Sequence, residues 1–236
     1  MSTLESLSII VPVYNEAGTV VPVVERLRSI SFPVPHEVLV VNDGSTDGTR
    51  AVLDGTPGQG EALRIIHAAR HAGKGAAIRL CLQHARGTII AIQDADLELD
   101  PAQLASLVAP ILRGQAAVVY GSRFLAGRPD APWLTIAANQ LLTGLTNALF
   151  GGHLTDMETC YKIMRADVAH SLRLESNRFD IEPEITAKLL LDGHQILEQP
   201  VVFQPRSRAD GKKIGWRDGV AAVGTLLKYW LTRFRK

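Results

Sequence analysis

Short apolar runs alternate with helical patterns through the first half of this chain, and that alternation restricts the fold more than any other feature. The runs are "SLSIIVPV", "EVLVVNDGS", "ALRIIHAA", "TIIAIQDA" and "AAVVYGSRF". Between them lie a helix after Asn15-Glu16, "STDGTRAVLD" with Ser45 or Thr46 as its N-cap, "KGAAIRLCLQHA" and "PAQLASLVAPILRG". Continuous apolar runs separated by helices predict a mostly parallel sheet with both faces covered. In such sheets ligands bind at the carboxyl ends of the strands. The 236 residues suffice for one α/β domain with a full core. A net charge of +1 argues against a general nucleic-acid binder. Cys81 and Cys160, far apart and without a Cys-x-x-Cys pair, read as reduced thiols.

The polar residues at the predicted strand ends are Asn15-Glu16, Asn42-Asp43, Asp94-Ala95-Asp96 and Ser122-Arg123. Turn chemistry explains any one of them. Acids at three ends of one sheet repel unless cations join them. In "TIIAIQDADLELDP", Asp94, Asp96 and Glu98 are spaced by two and share one face if the strand continues. Hard oxygens at a strand end suit Mg²⁺, which is usually held by one or two carboxylates plus substrate phosphates. Asp100, beside Pro101, reads instead as a helix N-cap. Asp43 is placed to accept hydrogen bonds from a nucleobase or a ribose.

No G-x-G-x-x-G follows the first strand, and "HAGKGAA" is no P-loop, although Lys74 at a helix start can face a phosphate. Arg123, Arg206, Arg208, Lys212 and Lys213 on predicted loops serve either solubility or anion clamping. The histidines form no metal pattern, and no G-x-S-x-G elbow is present.

The second half is less regular. "WLTIAANQLLTGLTNALF" reads as a packed or interfacial helix, since Asn139, Gln140 and Asn147 interrupt it. "GGHLTDMETCYKIMR" is a turn leading into a short strand, and "EPEITAKLLLDG" a helix stopped by Gly193. An extended segment, the polar loop "SRADGKKIG" and a final helix from about Trp216 follow. Val220, Val223, Leu227, Trp230, Leu231 and Phe234 share one face of that helix. An apolar face with basic flanks suits either a membrane surface or docking on the domain. The N-terminus lacks the basic and long apolar regions of a signal peptide.

The segments "SIIVPVYNE", "VNDGSTDGT", "GKGAAI", "QDADLELDP" and "VYGSRF" resemble the family-2 glycosyltransferases of the GT-A fold. "LTDMETCYKIMR", "RFDIEPEITAKL" and "PRSRADGKKIGWRDG" are similar to the dolichol-phosphate mannosyltransferase and polyprenyl-phosphate branch. The resemblance runs from Leu7 to about Tyr229. It implies one Rossmann-like GT-A domain over 1–236, with a nucleotide-sugar half (1–123) and an acceptor-side half (124–236) ending in an amphipathic helix. It further implies a nucleotide-sugar donor, a divalent metal (Mg²⁺ or Mn²⁺) and a lipid-phosphate acceptor.

By position, Pro12, Tyr14 and Glu16 would line the nucleotide pocket, with Asp43 on the base and Lys74 near phosphate. Asp94, Ala95 and Asp96 would meet the diphosphate and metal, with Glu98 as a further metal ligand. Arg123 would reach the sugar or phosphate, and Arg206 and Lys212 would close over the diphosphates. Relatives often carry a basic residue where Gln140 stands here.

The activity so implied is inverting transfer of a hexose, with mannose from GDP-mannose as first choice, to a dolichyl or undecaprenyl phosphate. A phosphate acceptor is already anionic and needs no general base, unlike a hydroxyl. The alternatives are UDP-glucose or a related donor, a glycan hydroxyl acceptor with Asp156 or Glu158 as base, and a non-catalytic nucleotide-sugar-binding subunit. The implied location is the cytoplasmic face of the membrane, held peripherally or by a membrane partner protein, with no nucleic-acid partner.

Overall fold

The computed structural model describes residues 4–205 and 215–233. Seven strands form one sheet in the order β3-β2-β1-β4-β6-β5-β7. They are β1 (Leu7–Val13), β2 (His36–Asn42), β3 (Leu63–His67), β4 (Ile89–Ile92), β5 (Val118–Ser122), β6 (Lys162–Arg165) and β7 (Ile196–Pro200). All neighbours pair in parallel except β6, which runs antiparallel to both β4 and β5. The expectation of a mostly parallel sheet holds, and β6 is its one reversed strand.

Alternation along the strands sends side chains to two cores. Ile9, Val11, Val38 and Val40 pack under α1 (Val20–Ser29) and α4 (Leu104–Leu112). Ile10, Leu39 and Val41 face the opposite layer, with Ile78 of α3 (Lys74–His84) and Ile185 of α7 (Ile181–Leu191). A third cluster joins α5 (Trp133–Phe150), α7 and α8 (Trp216–Thr232) through Leu142, Ala187, Ala222, Leu226 and Tyr229. The short helices α2 (Thr49–Asp54) and α6 (Ala166–Ser171) complete the set.

Three local expectations change. Neither Ser45 nor Thr46 caps α2; the helix starts at Thr49, whose amide is held by Asp47 Oδ1 at 2.9 Å. Second, β4 stops at Ile92, and Leu97 has φ 61°, so Asp94, Asp96 and Glu98 do not share a strand face. They lie on a turn in which Asp96 accepts from the Glu98 amide at 3.1 Å. Third, α8 docks mainly through Ala222, Leu226 and Tyr229, and of the apolar face expected from its sequence Val223 packs beside them. On that face Val220, Leu227 and Leu231 are exposed, while Phe234 lies outside the described residues. The Asp100 cap is as expected, accepting from the Ala102 amide at 3.0 Å before Pro101.

The segment 173–180 is pressed onto the start of α3. The Ala76 amide donates to Asn177 O at 3.1 Å, and the Arg79 guanidinium donates to the Glu175 and Ser176 carbonyls. The approach is close enough that a Cβ on Gly75 would overlap the Ser176 carbonyl oxygen. Gly75→Ala gains about 1 kcal/mol of helix propensity. Backbone overlap costs roughly 1–3 kcal/mol. We expect net destabilisation in urea unfolding, and an equal or more stable variant would contradict this packing.

Candidate functional site

The strand order reverses between β1 and β4, where a ligand crevice is expected in an open α/β sheet. A cavity of about 290 Å³ opens there. One end is built from the β1 and β2 termini. Pro12, Tyr14, Glu16 and Asp43 line it. Asn15, at φ 51°, turns the chain after β1, and asparagine tolerates this left-handed conformation. The Tyr14 ring stacks on His71 with centroids 3.8 Å apart, although His71 carries no functional signal in the sequence.

Asp43 is buried and accepts from the Ala72 amide at 3.0 Å and the Gly73 amide at 2.7 Å, and His71 Nδ1 lies 2.7 Å from its Oδ2. Its carboxylate therefore shapes the loop between β3 and α3. At Gly73, φ is 107° and a Cβ would overlap Asn177 O, so glycine is required there.

The middle of the cavity holds Lys74, Asp94, Ala95, Asp96 and Glu98. Lys74 Nζ bridges two acids, Asp94 Oδ1 at 2.8 Å and Glu182 Oε1 at 2.9 Å. Burial disfavours its charge, but Asp94 and Glu182 outweigh this and hold the ammonium well above its ordinary pKa. Glu182 is buried and also pairs with Lys162 Nζ at 2.6 Å. Lys162 is fully buried and donates to Met157 O at 2.9 Å and to Thr159 O. The clustered acids thus meet lysines, as electrostatics demands, but one of them comes from the antiparallel strand. A lysine inside the apolar run "CYKIMR" was the signal available for it.

Arg123 lines the far end and is committed to Asp156. Its Nε and Nη2 reach the two carboxylate oxygens at 2.7 Å each, and its amide donates to Oδ2 at 3.0 Å. Burial opposes the guanidinium charge, and Asp156 over-compensates, so its pKa is raised. Asn139 adds a 3.2 Å bond to the same carboxylate, whereas Gln140 is exposed. Glu198 of β7 accepts from the Thr155 and Asp156 amides and fixes that loop. Asp156 is fully buried and bound to Arg123, so its position is that of a partner to the arginine. Arg206, Arg208, Lys212 and Lys213 lie outside the described residues.

Among the described residues, no three His, Cys, Asp or Glu side chains form a ligand group for a metal ion. The expected trio Asp94, Asp96 and Glu98 lines the cavity without forming such a set, because Asp94 is turned to Lys74. The remaining hard oxygens still fit a cation that takes most of its ligands from a diphosphate, which is the usual Mg²⁺ arrangement.

The Glu158 carboxyl is pushed up, to about 7 from 4.5. Burial is the largest cause; Glu182 and Asp156 add to it, while Lys162 and Arg123 oppose it. The unfolded chain ionises this group near 4.5. Between that pH and about 7 the unfolded state therefore binds fewer protons than the folded one, and stability falls as pH rises. Glu158→Gln should raise the melting temperature by a few degrees at pH 8, and by much less at pH 4.5. Equal shifts at both pH values would contradict the assignment.

The model of the family described as "Glycosyl transferase family 2" matches residues 8–173. The dodecaprenyl-phosphate galacturonate synthase of Rhizobium johnstonii is 34% identical over 178 residues, 73% of this chain and 52% of that protein. The undecaprenyl-phosphate mannosyltransferase of Micrococcus luteus is 29% identical over 224 residues, covering 91% of this chain and 90% of that one. The chain thus spans about half the length of the first relative and nearly all of the second. Glucosyl-3-phosphoglycerate synthase of Mycobacterium tuberculosis has been solved with Mn²⁺, UDP and glucosyl-3-phosphoglycerate. It shares the fold with a TM-score of 0.71 at 19% identity, over 95% of this chain and 80% of that one. With its mixed seven-stranded sheet of GT-A type and the matched 8–173 region, the chain belongs to glycosyl transferase family 2.

Proposed function

We propose that this chain transfers a hexose from a nucleotide sugar to a polyprenyl phosphate. The observation that carries this reading is a single cavity at the sheet's switch point. It joins an aromatic end at Tyr14 and His71 to an end where carboxylates and cations balance. The first end suits a base and ribose, and the second suits a diphosphate beside an anionic acceptor. The likeness to the galacturonate synthase and the mannosyltransferase supports a polyprenyl-phosphate acceptor. Their different sugars leave the donor as the finer choice, and mannose from GDP-mannose is the first to test, with UDP-linked sugars next.

In the reaction, an acceptor phosphate oxygen attacks the anomeric carbon. The new C–O bond forms as the bond from that carbon to the diphosphate breaks, with inversion, and the nucleoside diphosphate leaves. No proton need be removed from the nucleophile, so the protein's task is to manage negative charge. Lys74 and Arg123 supply fixed positive charge within the cavity, and Arg206 and Lys212 are proposed to close over the diphosphate. Asp96 and Glu98, with Asp94 behind them, are the proposed holders of Mg²⁺ or Mn²⁺. When bound, such an ion draws charge from the leaving diphosphate.

The acceptor would reach this site from a lipid surface. Among the described residues no helix is long and apolar enough to cross a membrane. Large apolar side chains nevertheless face outward on two helices that pack together: Trp133, Leu134 and Leu141 on α5, and Trp216, Leu227 and Leu231 on α8. Docking of α8 leaves its outer stripe available, which favours interfacial association.

Asp96→Ala should abolish sugar transfer to undecaprenyl phosphate and remove the Mn²⁺-dependent part of donor binding. Labelled nucleotide sugars incubated with lipid phosphate or with glycan acceptors test both points. Label reaching only glycan would refute the lipid acceptor. A second test is co-sedimentation with phospholipid vesicles, which Leu227→Asp combined with Leu231→Asp should reduce severalfold without lowering the melting temperature. Undiminished binding would rule out this face of α8.

A further inference from the structure

We propose that Glu158 is the specificity-determining residue for the transferred sugar, gripping one of its hydroxyl groups. The inference rests on the nucleotide-sugar reading above and goes beyond it by assigning the glycosyl subsite. Glu158 lines the cavity, and its Oε1 is withdrawn from solvent with no hydrogen-bond partner among the described residues. A buried oxygen of this kind is costly unless something arrives to bond it.

The neighbouring charges do not meet that need. Arg123 is matched to Asp156, Lys162 to Glu182, and Lys74 to Asp94 and Glu182. Among the described residues, each of these three cations is matched to another acid, and none of them forms an ion pair with Glu158. Burial raises its carboxyl to about 7, with Glu182 adding to the effect and Lys162 and Arg123 opposing it, so that it is partly protonated at neutral pH. A protonated carboxyl both donates and accepts a hydrogen bond. A sugar hydroxyl does the same, whereas a phosphate oxygen only accepts, and a metal ion would select the ionised form.

The placement agrees with this chemistry. Glu158 enters on the loop before β6, which lies beyond β4 from β1, β2 and β3, the strands that carry the Tyr14–His71 end. A donor with its base at the aromatic end and its diphosphate near Lys74 would present its sugar toward Glu158 and Arg123. A residue that bonds a ligand hydroxyl discriminates strongly against ligands lacking it, because its own polar atom is then left unpaired.

The test uses the full chain with Mn²⁺ in titration calorimetry against UDP, GDP, UDP-glucose and GDP-mannose. Wild type identifies which pair binds. Glu158→Ala should bind the bare nucleoside diphosphate as wild type does. It should bind the matching nucleotide sugar about tenfold more weakly, the loss of one well-made hydrogen bond to a buried group. Glu158→Gln, which keeps a donor and an acceptor, should recover most of that affinity. An unchanged ratio of sugar-linked to bare nucleotide in Glu158→Ala overturns the proposal, as does an equal fall in both. Retained donor binding with loss of transfer to a hydroxyl acceptor would make Glu158 a base and likewise overturn it. Wild type binding none of the four refutes the nucleotide-sugar reading, and the proposal with it.

Discussion

Lys162 carries the charge on which the rest of the site depends. Burying an ammonium costs several kcal/mol unless it is paired and fully bonded. Here Glu182 at 2.6 Å and the Met157 and Thr159 carbonyls satisfy it. That pairing keeps Glu182 ionised within the protein, its carboxyl held below its ordinary range by Lys162 and Lys74 against the opposing effect of burial. Glu182 in turn helps hold Lys74 beside Asp94. The chain of charges runs from β6 through α7 and α3 to the end of β4, so three linked ion pairs join four elements. Removing one partner of such a buried pair costs about 3–5 kcal/mol, because the other charge is stranded.

A second set of polar contacts ties the outer helix to the same place. Glu184, fully buried on α7, accepts from the Glu175 and Ser176 amides at 2.8 and 2.7 Å and from the Tyr229 hydroxyl of α8 at 2.8 Å. The amides belong to the segment that covers Gly73 and Gly75 and that contributes Arg178 and Phe179 to the cavity. The helix with the exposed apolar stripe and the loop beside the proposed donor site therefore share one anchor.

Much of the site could be read before any coordinates. The residues expected at the carboxyl ends of β1, β2, β4 and β5 do line one cavity: Pro12, Tyr14, Glu16, Asp43, Asp94, Asp96 and Arg123. This worked because parallel strands deliver their ends to one edge whatever the details of their packing. What the residue types would do there was less legible. Asp43 and Arg123 were expected to meet ligand, yet in the structure they are engaged by the Ala72 and Gly73 amides and by Asp156. The regular spacing of Asp94, Asp96 and Glu98 suggested a common strand face, but Leu97 takes a left-handed turn that spacing does not reveal.

By itself, the sequence determined the local periodicities: apolar runs that must be buried on both sides, and acids that must finish those runs near water. It thereby determined the sheet, the edge at which the cavity opens and the family. Only the tertiary structure decided which cations balance the acids. β6 runs opposite to its neighbours, so the loop before it, with Glu158 and Cys160, arrives at the same edge as the ends of the parallel strands. Lys162 meets Glu182 across twenty residues of chain for the same reason. Strand direction is a property of the assembled sheet, set by which neighbour completes its hydrogen bonds, and no local pattern of side chains encodes it.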